Sequence, residues 1–252
     1  YRSLGAGLRK AGQLDRSRAA LHAALQHDGD HTATHIEMGL AAWAAGDQNG
    51  ALAAFKRAVA AAPEEALAHF HLAEALFALG EEPEAEQVLS KALALRPDVA
   101  AWHHRLARVH QQRHAKGLVS DSGTALAHYQ RAAELEPEHS DYLADLARAL
   151  ARDGDLQAAA ERYRRATEAG AGDATLWTER GNIQLALHDL KAAADCFGRA
   201  LKLAPASAPA LLGAARVSLS QGDLHEAGNK AEAAVRATPD DAEALVCLAD
   251  VQ

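Results

Sequence analysis

The sequence predicts an all-α solenoid of antiparallel helix pairs. Three observations carry that expectation. Prolines Pro63, Pro97, Pro137, Pro205 and Pro239 each follow an apolar run, at separations of 34, 40, 68 and 34 residues. The interval of 68 is twice 34, with Ala171 where the missing proline would stand, and such a period marks a repeat architecture. Hydrophobic residues make up 49% of the 252, mainly alanine and leucine, and aromatics only 4%, so helix formers dominate. Between successive prolines, finally, two apolar patterns of helical spacing are separated by a glycine-acid pair.

Each element of the unit has a local cause. The first helix carries small or apolar residues at its fourth, seventh, eighth and eleventh places, as in His69, Leu72, Ala73 and Leu76. A turn follows at Gly46-Asp47, Gly80-Glu81, Gly154-Asp155 and Gly222-Asp223. Glycine accepts the left-handed conformation that ends a helix, and the acid then sits near the positive end of the next one. The second helix spaces alanines around one larger residue: Ala51, Phe55 and Ala58; Ala85, Leu89 and Ala92; Ala159, Tyr163 and Ala166; Ala193, Phe197 and Ala200. The alanines let backbones approach and the larger residue fills the space between them. Proline then stops the helix and sets the start of the next unit.

Composition removes several function classes. Net charge is −8, with 26 basic residues interspersed among 34 acidic ones, so no concentrated basic face is expected for nucleic acid. No run of 18 apolar residues exists to span a membrane. Cys196 and Cys247 have neither metal spacing nor a disulfide framework; they read as small packing residues, fit a reducing compartment and favour a cytoplasmic location. Of the 14 histidines, His27, His31 and His35 are split by Asp28-Gly29-Asp30, and the neighbours His103 and His104 point apart. His110 and His114 share a helix face only if the helix continues through Gln112, and no third ligand stands at a known spacing. Neither a metal, a cofactor nor a catalytic nucleophile is expected. The glycines of EAGAGDA form a turn between units and not a phosphate loop, because no lysine follows.

Trp177 and Gly181 in WTERG, and Tyr1, Leu4 and Gly5 in YRSLG, complete a pattern that resembles the tetratricopeptide repeat family, with Arg180 where leucine is usual. The resemblance covers essentially the whole chain. It divides the chain into units 1–31, 32–65, 66–99, 100–139, 140–173, 174–207 and 208–241, with an unpaired helix at 242–252. The start at Tyr-Arg-Ser without methionine predicts a single solenoid excised from a longer chain, and the alanine- and arginine-rich usage suggests a bacterial source. His188 stands in place of the turn glycine of unit six, Ala231 in place of the larger residue of unit seven, and thinner packing is expected there. Unit four carries six surplus residues. Residues 113–116 are expected to extend its first helix by a turn, Gly117 to end it, and Ser120-Asp121-Ser122-Gly123-Thr124 to form a polar loop with candidate N-caps.

The resemblance implies a right-handed superhelix whose first helices line a concave groove, and a non-catalytic scaffold that binds a peptide or partner protein there. Its groove positions map onto Ile36, Leu40, Trp43, Phe70, Glu74 and Phe77; then His104, Arg105, Arg108, Gln111, Gln112, Asp141, Asp145, Arg148 and Arg152; then Thr178, Glu179, Asn182, Leu212 and Arg216. The peptide-binding set expected from them is Trp43, Phe70, Phe77, His104, Arg105, Arg108, Gln112, Arg148, Arg152, Asn182 and Arg216. An acidic peptide segment would meet Arg105, Arg108, Arg148 and Arg152, unless Asp141 and Asp145 neutralise them. The clamp that some members use for a chaperone tail lacks its asparagine, since His104 and Arg108 occupy those places, and no asparagine ladder runs along the groove. The alternative is a docking or regulatory arm of a larger enzyme such as a glycosyltransferase, hydroxylase or sulfotransferase. Self-association through the solenoid ends is the third expectation.

Overall fold

A computed structural model describes residues 1–27, 31–115, 117 and 123–251. Among these residues the secondary structure is helical throughout. The helices are α1 (Arg2–Lys10), α2 (Leu14–His27), α3 (His31–Ala44), α4 (Gln48–Ala61), α5 (Ala66–Ala78), α6 (Glu82–Leu95), α7 (Ala100–Ala115), α8 (Gly123–Leu135), α9 (Ser140–Arg152), α10 (Leu156–Ala169), α11 (Ala174–Ala186), α12 (Leu190–Leu203), α13 (Ala208–Ser220), α14 (Leu224–Ala237) and α15 (Ala242–Ala249). They fall into two compact units, residues 1–128 and 129–252. None is long and apolar enough to cross a membrane.

The turn inside each pair is built as its residues predict. Gly46, Gly80, Gly154 and Gly222 have φ between 77 and 88°. The aspartate that follows caps the second helix: Asp47 accepts from the Gly50 N–H, Asp155 from Ala158 and Asp223 from Glu226, at 2.8 to 3.0 Å. Glu81 has one methylene more and makes no such bond. His188 adopts φ 60° in the place of glycine, and Asp189 still caps α12 through the Ala192 N–H. A β-carbon in that conformation crowds the following carbonyl, so the turn forms at a cost in strain.

Within a pair, a small residue on the first helix meets the large residue on the second. A β-carbon added to Gly39 would stand 2.3 Å from the Phe55 ring, and one added to Gly181 would stand 2.7 Å from Phe197. The large side chain is also shared with the next pair: Phe55 clusters with Leu72, Ala75 and Leu76 of α5, and Phe197 with Ala214 and Val217 of α13. Phe197 is fully buried. Ala231 is fully buried as well, clustered with Leu211, Leu212 and Cys247, so the thinner packing expected there is filled by neighbours.

Successive pairs are joined by a second recurring contact. Position four of a first helix bonds the carbonyl of the preceding proline position: His69 Nε2 to Pro63 O at 2.8 Å, His103 Nε2 to Pro97 O at 3.1 Å, and Trp177 Nε1 to Ala171 O at 2.9 Å. Carbonyls only accept, so each ring N–H donates. Arg180, the residue that replaces leucine, donates from Nη1 to Thr167 Oγ1 at 3.0 Å and lies 5.4 Å from the Trp177 ring centre.

In the unit with surplus residues, α7 does run on to Ala115, and Gly117 turns at φ 69° with its N–H on the His114 carbonyl. Gly123 and Thr124, expected in a loop, are instead the first residues of α8. The remainder of that expectation, at residues 116 and 118–122, lies outside the described residues, as does the break at 28–30.

Alanine at Gly181 is expected to destabilise the chain by about 1–3 kcal/mol through overpacking against Phe197. Alanine at Gly198, exposed on α12 with no atom near its added β-carbon, should stabilise by up to about 1 kcal/mol. Urea unfolding of the two variants measures both. By the same measurement His188→Gly should gain roughly 1 kcal/mol, since it relieves the left-handed strain.

Candidate functional site

The first helices of the amino-terminal unit frame a cleft of about 540 Å³. Ala6, Ile36 and Leu67 form its apolar part, with Arg2, Lys10 and Glu37 at the edges. Ile36 is buried and forms floor rather than a free contact, while Leu67 is 39% exposed. Glu37 is held by Arg9, whose Nε donates to it at 3.0 Å. Lys10 is exposed and makes no ion pair among the described residues. Leu67 is the second residue of α5 and Lys10 the last of α1, and neither is among the groove residues that the resemblance mapped.

Farther along the unit, the expected contact residues are partly consumed by packing. Trp43 stands 38% exposed on α3. Phe70 is half-buried and stacks on Trp102, with ring centres 5.1 Å apart. Phe77 is half-buried beneath the Arg105 guanidinium, 3.9 Å from its ring centre. Arg105 also hydrogen-bonds Glu74 through Nε. Its charge is therefore taken up twice, by a carboxylate and by a ring face. His104 is half-buried, whereas Arg108 and Gln112 are exposed, and Arg108 makes no ion pair among the described residues.

The carboxy-terminal unit repeats the theme. Arg148 forms a fork to Glu179, Nε to Oε1 at 2.9 Å and Nη2 to Oε2 at 2.8 Å, and pairs with Asp145. Of the two acids expected to neutralise the arginines, Asp145 pairs with Arg148, and Glu179 joins it. Arg216 pairs with Glu243 at 3.0 Å, and Arg152 and Asn182 are exposed. Besides Ile36, two further groove positions are buried. Thr178 turns its hydroxyl back to the Ala174 carbonyl at 2.8 Å, and Leu212 is a core residue at 5% exposure. Arg105 and Arg148 are therefore already matched to acids on a neighbouring first helix. Charge composition shows the residue types; the pairing depends on which helix lies alongside.

The histidines assemble in a way that linear spacing did not reveal. His103 donates from Nε2 to Pro97 O, which leaves its Nδ1 as acceptor, so the His128 Nδ1–H donates across 2.9 Å. The His110 ring is stacked on His128 with centres 6.0 Å apart. Its Nε2 lies 3.8 Å from Glu86, which also pairs with Arg113. Burial, then the neighbouring His103 and His110, push the His128 imidazole down to about 4. The partners of His103 and His110 come from α6 and α8, too far along the chain for a spacing rule. His110 and His114 do lie on one continuous helix, but His110 is spent in this network and His114 is exposed. Among the described residues no three His, Cys, Asp or Glu groups are placed to hold a metal ion. Both cysteines are buried, and burial raises their thiols away from the reactive thiolate.

Models of the tetratricopeptide repeat match residues 42–109, 119–174 and 178–249. No protein with a curated description matches the sequence. Among solved structures, the C-terminal part of a TPR repeat-containing protein from Cytophaga hutchinsonii is similar at 11% identity, covering 98% of this chain and 99% of that one, with a TM-score of 0.78. PilF of Pseudomonas aeruginosa is 18% identical over 87% of this chain and 97% of its own, at 0.68. YrrB, a TPR protein with an unusual peptide-binding site, is 20% identical over 76% and 96%, at 0.67. At these identities the likeness is one of fold.

The depressed His128 value has a consequence for stability. Between its ordinary value of 6.5 and about 4, the unfolded chain takes up a proton that the folded chain refuses. Stability from this group is thus complete above about pH 6.5 and is lost as pH falls toward 4. The thermal midpoint should drop between about pH 7 and pH 4.5 by roughly 3–5 °C more in the native chain than in His128→Asn. That variant keeps a donor to His103 but cannot titrate. Parallel pH profiles of the two proteins would contradict the assignment.

Proposed function

The chain belongs to the tetratricopeptide repeat family, and from that premise we propose that the first-helix face of its amino-terminal unit binds an extended peptide of a partner protein. Tandem repeats of this family make the chain an interaction scaffold in general terms. The finer reading rests on one observation, the cleft of about 540 Å³ between α1, α3 and α5. That volume lies within the range of about 300–1,000 Å³ typical of ligand pockets. An apolar side chain of the peptide seats against Ala6, Ile36 and Leu67, and its backbone continues toward Trp43.

An acidic residue in the peptide meets Lys10 and, farther along the unit, Arg108, the exposed cations there with no carboxylate partner. Arg105 contributes less than its charge implies, because Glu74 already holds it. Binding of this kind is non-catalytic: the cleft is lined by apolar surface with a few charges at its edges, and neither thiol lines it.

The test is selection of binding peptides from an array with the full chain, followed by titration. Trp43 reports binding by its own fluorescence, since Trp102 and Trp177 are only 4 and 6% exposed. Leu67→Glu and Lys10→Glu should each weaken the selected peptide roughly tenfold, whereas Arg236→Glu on exposed α14 surface should leave it unchanged. Selected peptides that bind both cleft variants with native affinity would overturn the reading.

A further inference from the structure

A second groove in the amino-terminal unit lies on other helices. It runs between the two second helices α2 and α4, over the side of α3 that faces them, and encloses about 250 Å³. Its floor is apolar: Leu21 from α2, Met38 and Ala41 from α3, and Ala54 from α4. Leu21, Ala41 and Ala54 are buried core residues, so the floor is rigid. Arg18 and His22, one turn apart on α2, edge the groove on one side, and Arg57 edges it on the other.

Arg18 and Arg57 differ from the arginines that packing has matched to acids. Arg9, Arg105, Arg113, Arg148 and Arg164 each face a carboxylate. Lys56, adjacent to Arg57 on α4, reaches Glu84 at 4.0 Å. Arg18 and Arg57 face none among the described residues. The one acid at the groove, Asp47, is committed to the Gly50 N–H at 2.8 Å, capping α4 more than two turns before Arg57. The positive field of Arg57 is felt locally: His35 is held below its ordinary range by burial and then by Arg57 and His31. In a chain of net charge −8, an apolar floor between two unpaired guanidinium groups is a local inversion of the surface.

We propose that this groove is a second docking site, which takes a partner-protein segment carrying one bulky apolar side chain beside carboxylates. The volume decides the size of the occupant. It falls below the range of about 300–1,000 Å³ for small-molecule pockets and suits a single large side chain. Charge complementarity decides the flanks, because guanidinium groups recognise carboxylates by paired N–H donors. The site uses no residue of the cleft between α1, α3 and α5, so the two faces engage different segments independently.

The probe is a short fluorescein-labelled peptide with a leucine-phenylalanine pair between glutamates, titrated by anisotropy into the full chain. Saturable binding is expected, weakened roughly tenfold or more by Arg18→Glu combined with Arg57→Glu, and weakened further by added salt. Ala53→Trp should abolish it without altering a charge, since Ala53 is an exposed residue lining the groove. Leu67→Glu, in the other cleft, should leave the probe's affinity unchanged. Replacing the probe's glutamates by glutamine, or its leucine-phenylalanine pair by serines, should remove binding. Three results overturn the proposal: no saturable binding, native affinity in the double arginine variant or in Ala53→Trp, or loss of the probe through Leu67→Glu alone. Arg18, Ala53 and Arg57 are exposed, and thermal unfolding of each variant checks that it is folded.

Discussion

The contact on which the rest depends is the meeting of a small residue on a first helix with a large one on its partner. Gly39 against Phe55 and Gly181 against Phe197 leave no room for even a methyl group. That closeness fixes how the two helices cross and how far apart they lie. The same ring then supports the first helix of the following pair, so each pair is both a folded unit and the floor of its neighbour. Cohesion passes from neighbour to neighbour, as in other repeat architectures, and no single central core is needed.

The joints between pairs show how one requirement is met by different chemistry. The carbonyl exposed where the second helix stops must find a donor. Histidine supplies it at positions 69 and 103, tryptophan at 177, and in each case a ring N–H six residues onward reaches back. Ala171 in place of proline is harmless for this reason: the carbonyl is what matters to the joint, and alanine has the same one. His188 makes the complementary point at the inner turn, where a capping aspartate and a left-handed backbone suffice to form the turn without glycine.

Electrostatics on the first-helix faces is largely internal. Arg9 with Glu37, Arg105 with Glu74, Arg148 with Glu179 and Arg216 with Glu243 each tie one first helix to the next. These pairs orient long side chains along the face and remove most of the free charge that a count of arginines implies. In the amino-terminal unit Lys10 and Arg108 on one side, and Arg18 and Arg57 on another, are among the cations left without a carboxylate partner among the described residues.

The sequence alone determined the helical class, the pairing of helices and the phase of the repeats. The 34-residue period, the glycine-acid turns and the alanine spacing are local signals, and local signals survive in linear order. Even the extension of α7 was legible, because the apolar pattern resumes in phase at Ala125, Tyr129 and Ala132, all buried. Tertiary structure alone decided which arginines are free, that His103 joins His128, and that Thr178 and Leu212 turn inward. Each of those outcomes rests on a partner contributed by another helix. A helical position names a face, but the neighbour packed against that face determines whether its side chain is spent or available.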